Sequence, residues 1–89
     1  MKTLDEIRKE IDELDDKFVE LFKQRMALSK QVADSKRATS TAVLNSSREQ
    51  DIIDRLTENE DEINSEYIER LYRHIFELSR DYQKRLLEK

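Results

Sequence analysis

Apolar residues recur at Leu4, Ile7, Ile11, Leu14, Phe18, Leu21, Leu28 and Val32. The steps alternate between three and four, the stripe of a helix buried along one side. Four residues beyond Leu21 the stripe demands another apolar side chain, and the chain supplies Arg25. Lys36 is eleven residues further on, rotated only about 20° from Arg25 at roughly 100° per residue. Two cations thus stand in line on a face that should be dry. Burying unpaired charge is expensive, so an anionic group is expected opposite them. Thr3 and Glu6 form a T-x-x-E capping box at the start of this helix. Nothing stops it before Lys36 or Arg37, and some 35 residues span about 50 Å.

The segment ATSTAVLN, Ala38 to Asn45, loses both the helical pattern and the charge. It reads as a loop whose end, Val43 and Leu44, tucks inward. Ser46 with Glu49 makes a second capping box, with Asn45 as a rival cap. The second helix runs to Leu56 or Thr57 and buries Ile52, Ile53 and Leu56. Glu49 shares that side and Arg48 lies on its flank. TENEDEI, Thr57 to Ile63, reads as a solvated acidic turn. Asn64 or Ser65 caps a third helix that turns Ile68, Leu71, Tyr72, Ile75, Leu78, Tyr82 and Leu86 inward. Ser79 and Gln83 continue its apolar row at steps of four.

These elements predict an all-α fold with three helices per chain, one of them very long, in a single domain over residues 1–89. A stripe of about 50 Å cannot be covered by two shorter helices of the same chain, and left bare it is a large apolar patch. A twofold, intertwined homodimer is the expected remedy. It brings one chain's first helix beside the other's, so Arg8, about a quarter turn off the Arg25 line, becomes a candidate for entering the partner's pocket.

Composition narrows the chemistry. The 89 residues include no Gly, no Pro and no Cys, and 43% are charged. Helix breakers, disulfides and thiolate metal sites are excluded, and the one histidine, His74, cannot build a metal site alone. His74 is expected to be a surface or partly packed helix residue. The opening MKTLDEI is too charged for a secretory leader, and no run approaches membrane-spanning length. A net charge of −4 without a basic block makes nucleic acid a poor partner. A small anion is not excluded, because the field in a cleft depends on local residues.

The inward or flanking polar set is Arg8, Arg25, Lys36, Arg48, Glu49, Ser79 and Gln83. It holds four cations, one carboxylate and two neutral hydrogen-bonding groups. No Ser/His/Asp triad and no Gly-rich phosphate loop is present, and one carboxylate alone is weak acid/base machinery. The set suits binding a multiply charged anion and stabilising charge that shifts within it. Each member alone also reads as a solvated charge or a register-setting polar residue. The joint pattern carries the functional reading.

That pattern resembles the all-helical class of chorismate mutases. The matching runs are LDEIRKEIDELDDKFVELFKQRMALSKQVADSK, LNSSREQDII and YIERLYRHIFELSRDYQ, from Leu4 to Gln83. The most specific spacing is R-(16 residues)-R-(10 residues)-K-(11 residues)-R-E, then S-x-x-x-Q. The resemblance implies a cytoplasmic, cofactor-free and metal-free homodimer that rearranges chorismate to prephenate in aromatic amino acid biosynthesis, with neither nucleic acid nor membrane as partner. It implies that Arg25, Arg48 and the partner's Arg8 hold the substrate's carboxylates. Lys36 and Gln83 would bond the ether oxygen, and Glu49 the ring hydroxyl. Ser79, Asn45 and Val32 complete the substrate contacts. Two features depart from the family: Asn45 stands where an acidic residue is usual, and the preceding TSTAVL lacks the frequent proline. An isochorismate–pyruvate lyase and a non-catalytic helical dimer are the alternatives.

Overall fold

The structure, a computed structural model, describes residues 1–39 and 45–88, with only the backbone at 37–39. Helix α1 spans Leu4–Thr39, α2 spans Ser46–Thr57 and α3 spans Glu62–Leu87. The expected loop end at Val43 and Leu44 lies outside the described residues. Among those described there is no strand, so the chain is all-α.

Each helix start has a local cause. Thr3 Oγ1 accepts from the Glu6 amide at 3.2 Å, and the acidic Asp5 and Glu6 occupy the first turn, where the helix dipole favours them. For α2, Asn45 takes the cap in place of Ser46: its Oδ1 accepts from the Arg48 amide at 3.0 Å. Helix α3 begins earlier than the expected Asn64 or Ser65 cap. Asp61 accepts from the Asn64 amide through Oδ1 at 2.7 Å and from the Asn64 side chain through Oδ2 at 3.1 Å. Asn64 is therefore the donor to the cap. Two bonds to one carboxylate outweigh what the neutral residues offer, and the acidic turn shortens to residues 58–61.

The arrangement is a thin slab of 56 × 28 × 14 Å, little thicker than one helix with its side chains, about 10–12 Å. Helix α3 packs against both neighbours, while among the described residues α1 and α2 do not pack on each other. The apolar core is correspondingly small: Ile52 and Ile53 of α2 close on Phe76 of α3, with Leu56 and Tyr72 against them. Phe76 was not on the expected inward row, whereas Leu71 and Leu78 were and are exposed in this chain.

The stripe on α1 stays bare. All eight of its residues, Leu4 to Val32, are exposed, including Leu14 at 60% and Leu21 at 64%. What α1 buries instead is a second face of small residues, Ser29 and Ala33, with Phe22, Arg25, Met26 and Lys36 half-buried around them. Small side chains let two helix axes approach closely. That face packs on α3, whereas the stripe stays exposed, with Phe18, Leu21, Leu28 and Val32 lining cavities beside α3.

Candidate active site

Arg25 is the pivot between two cavities. One, about 190 Å³, is an apolar groove lined by Phe18, Leu21, Phe22, Tyr72 and Ile75 beside Arg25. The other, about 320 Å³, lies where all three helices meet. Helix α1 supplies Arg25, Leu28, Ser29 and Val32 to this larger cavity, and α2 supplies Arg48, Glu49 and Ile52. Helix α3 adds Phe76, Ser79, Arg80 and Gln83.

The Arg25 guanidinium carbon lies 5.6 Å from the Phe76 ring centre and 5.8 Å from that of Tyr72. The two rings meet edge to face, 5.8 Å apart. A cation over aromatic faces within about 6 Å is attracted by their quadrupoles. Two rings thus stand beside Arg25, which also lines the larger cavity. A guanidinium at a cavity wall can bond a carboxylate through two parallel N–H groups.

Below it runs a chain of buried polar groups. Ser29 Oγ donates to the Arg25 carbonyl at 3.2 Å and lies 2.7 Å from Ser79 Oγ. The Gln83 side-chain amide nitrogen, Nε2, donates to Ser79 Oγ at 3.3 Å. With the Ser29 proton directed at Arg25, Ser79 donates to Ser29 and accepts from Gln83. Gln83 is 6% exposed, and its carbonyl oxygen Oε1 has no partner. A buried acceptor left this way costs about 1–3 kcal/mol. The second Nε2 hydrogen is not used by Ser79. A polar group of this kind facing a cavity marks a place for a ligand or a water.

Glu49 is half-buried and accepts a close bond from Arg80 Nη1. Arg48 is exposed at the cavity wall, two residues along α2 from its start. Of the residues expected at the site, Arg25, Val32, Arg48, Glu49, Ser79 and Gln83 converge on this cavity. Lys36 is half-buried on the Arg25 face but is not among the described lining residues. Asn45 is at the α2 cap rather than in the lining. Arg8 is exposed and lies 17 residues, about 25 Å, from Arg25 along the same helix. It does not reach the cavity of its own chain.

Ser29 and Arg80 are in the lining but were absent from the expected set. Ser29 was legible in part: it lies four residues beyond Arg25 and seven before Lys36, on the line joining the two cations. Arg80 carried no comparable signal, because its partner Glu49 is on another helix. His74 is on the surface beside Glu77, and no three of His, Cys, Asp and Glu gather into a metal-holding group among the described residues. No helix is long and apolar enough to cross a membrane among those residues.

Comparison with protein families matches the chain to chorismate mutase type II over residues 7–84. The chain belongs to that family. It is a chorismate mutase, an isomerase acting on chorismate, and the matched span runs from before Arg8 to beyond Gln83. Comparisons with curated proteins and with solved structures return no match.

Proposed function

We propose that the cavity at the junction of the three helices is where chorismate is bound folded and rearranged to prephenate. The observation that carries this reading is the convergence of Arg25, Arg48, Glu49, Ser79 and Gln83, from three helices, on one cavity. Arg25 and Arg48 bond the two carboxylates and hold the enolpyruvyl side chain over the ring. Positioning of this kind removes much of the entropic part of a barrier. The ether C–O bond then breaks as a C–C bond forms within the same molecule. No proton moves, so the lack of acid/base machinery is no defect. Negative charge grows on the ether oxygen, where Gln83 donates through Nε2 and Lys36 supplies a compact positive charge. Glu49 accepts from the ring hydroxyl. Ser79 orients the Gln83 amide, Val32 contacts the ring, and Asn45 sets the start of α2 so that Arg48 and Glu49 face inward.

The working unit in this reading is a homodimer of single-domain chains. The eight large apolar side chains of the α1 stripe are exposed. Covering each one stabilises by about 2 kcal/mol, a total comparable to the whole net stability of a domain, about 5–15 kcal/mol. A second copy laid along α1 covers them. It also brings its own Arg8 to a pocket that Arg8 cannot reach within one chain.

The test is chorismate loss, followed by absorbance with product identification, for the unsubstituted chain and for Arg25→Ala. Arg25→Ala is expected to lower kcat/KM by about 10²–10³ while helicity and association stay unchanged. A rate near that of the unsubstituted protein contradicts the site assignment.

A further inference from the structure

Among the described lining residues, Arg80 is the cation to which the preceding reading gives no role. It follows Ser79 on α3, and its Nη1 donates to Glu49 Oε2 on α2. The two side chains are 27% and 14% exposed, against 60% and 52% for the Lys2–Glu10 pair near the chain's start. A pair this shielded is less screened by solvent and salt than a surface pair.

The electrostatic setting gives the pair a purpose. Glu49 lines a cavity that receives two carboxylates, and an unpaired carboxylate there would repel both of them. Arg80 sets a positive charge directly against Glu49, so that the cations Arg25 and Arg48 in the same lining act on the substrate's carboxylates without an opposing charge beside them. The guanidinium also fixes Glu49 in orientation, since its planar fork holds a carboxylate oxygen in a set geometry. A carboxylate offers about four lone-pair sites, so the bond at Oε2 leaves acceptor capacity for a ligand.

We propose that Arg80 is a positioning residue: it clamps Glu49 across the α2–α3 junction, so that this carboxylate accepts the substrate's hydroxyl without repelling the substrate's carboxylates. The proposal rests on reading the cavity as the chorismate site. It makes the contribution of Arg80 conditional on the charge at position 49, which a direct contact between Arg80 and substrate would not be.

The experiment is a double-mutant cycle with Arg80→Met, Glu49→Gln and the combined variant, read by steady-state kinetics on chorismate. Methionine keeps an apolar stem in place of the arginine's. Arg80→Met alone is expected to raise KM about tenfold, with a smaller fall in kcat. In the Glu49→Gln background the same change is expected to move KM by less than about twofold, since glutamine carries no charge to cancel. Arg80→Lys, which keeps the charge, is expected to recover most of the loss. An equal KM rise in both backgrounds overturns the proposal, as does an unchanged KM in Arg80→Met. Thermal unfolding of the same four proteins reads the clamp apart from turnover. Tm is expected to fall in each single variant and no further in the combined one, and additive falls contradict the clamp. Coupled Tm values in a chain that does not turn over chorismate contradict the site reading instead, and with it the substrate half of this proposal.

Discussion

The two halves of α1 use the same helix in opposite ways. From Leu4 to Leu21 every residue is exposed, although the apolar stripe there is regular and includes Leu14 and Phe18. From Phe22 to Lys36 the helix packs on α3 and buries Ser29 and Ala33, with a half-buried arginine and lysine on the same face. The first half is bare throughout, and the second is covered along one face. The first half therefore has an apolar face still to be covered, and the second has its polar groups committed to a cavity. On the proposed reading, association and chemistry are divided along one helix about 54 Å long by its rise of 1.5 Å per residue.

The largest expected effect comes from attacking the bare half. Leu14→Lys with Phe18→Lys removes about 4 kcal/mol of apolar burial from each chain of an assembly. Sedimentation should show a lower mass at the same concentration, thermal stability should fall, and turnover should disappear with the assembly. If these positions face water in the working enzyme, mass and rate stay as they were.

A smaller and more selective effect is expected in the covered half. Gln83 donates as a neutral amide, so the rate of the unsubstituted protein should be flat from mildly acidic pH to neutrality. In Gln83→Glu the replacement donates only when protonated. Its rate should be highest in acid and fall as pH rises, by about tenfold per unit once pH passes the carboxyl's titration, ordinarily near 4.3. A pH–rate profile of the two proteins checks this, and parallel profiles would remove Gln83 from the ether-oxygen role.

The smallest effect separates scaffold from site. Asn45→Ala removes the acceptor for the Arg48 amide and should cost about 1 kcal/mol of stability, measured by chemical denaturation. Its effect on KM should exceed its effect on kcat, since Arg48 and Glu49 start from that cap.

The division of α1 also explains what could be read from the chain beforehand. Three helices, the length of α1, and Arg25 as an intruder in an apolar row all follow from periodicity, which responds to large side chains. Ser29 and Ala33 are too small to register in it, so the face that packs on α3 was not visible. Phe76 lies off the expected row, which Tyr72 and Ile75 already fill beside it. The start of α3 differs from the expected one because Asn64, a good cap by type, is itself bonded through its amide and its side chain by Asp61 three residues earlier. Six of the nine expected site residues line one cavity. Lys36, Asn45 and Arg8 do not, for different reasons: Lys36 lies further along the Arg25 face, Asn45 serves the cap, and Arg8 is about half the length of α1 away from Arg25.

Arg8 carries the most direct test of the account, because its distance from Arg25 requires a second chain. Arg8→Ala and Arg25→Ala proteins are each expected to be nearly inactive, and the measurement is the chorismate turnover of their equimolar mixture after exchange of subunits. If chains pair and lend Arg8 across the interface, half the pairs are mixed and each mixed pair holds one intact pocket, so about a quarter of the unsubstituted activity returns. A mixture no more active than its two components means that the pocket is complete within one chain, and the shared-site account fails.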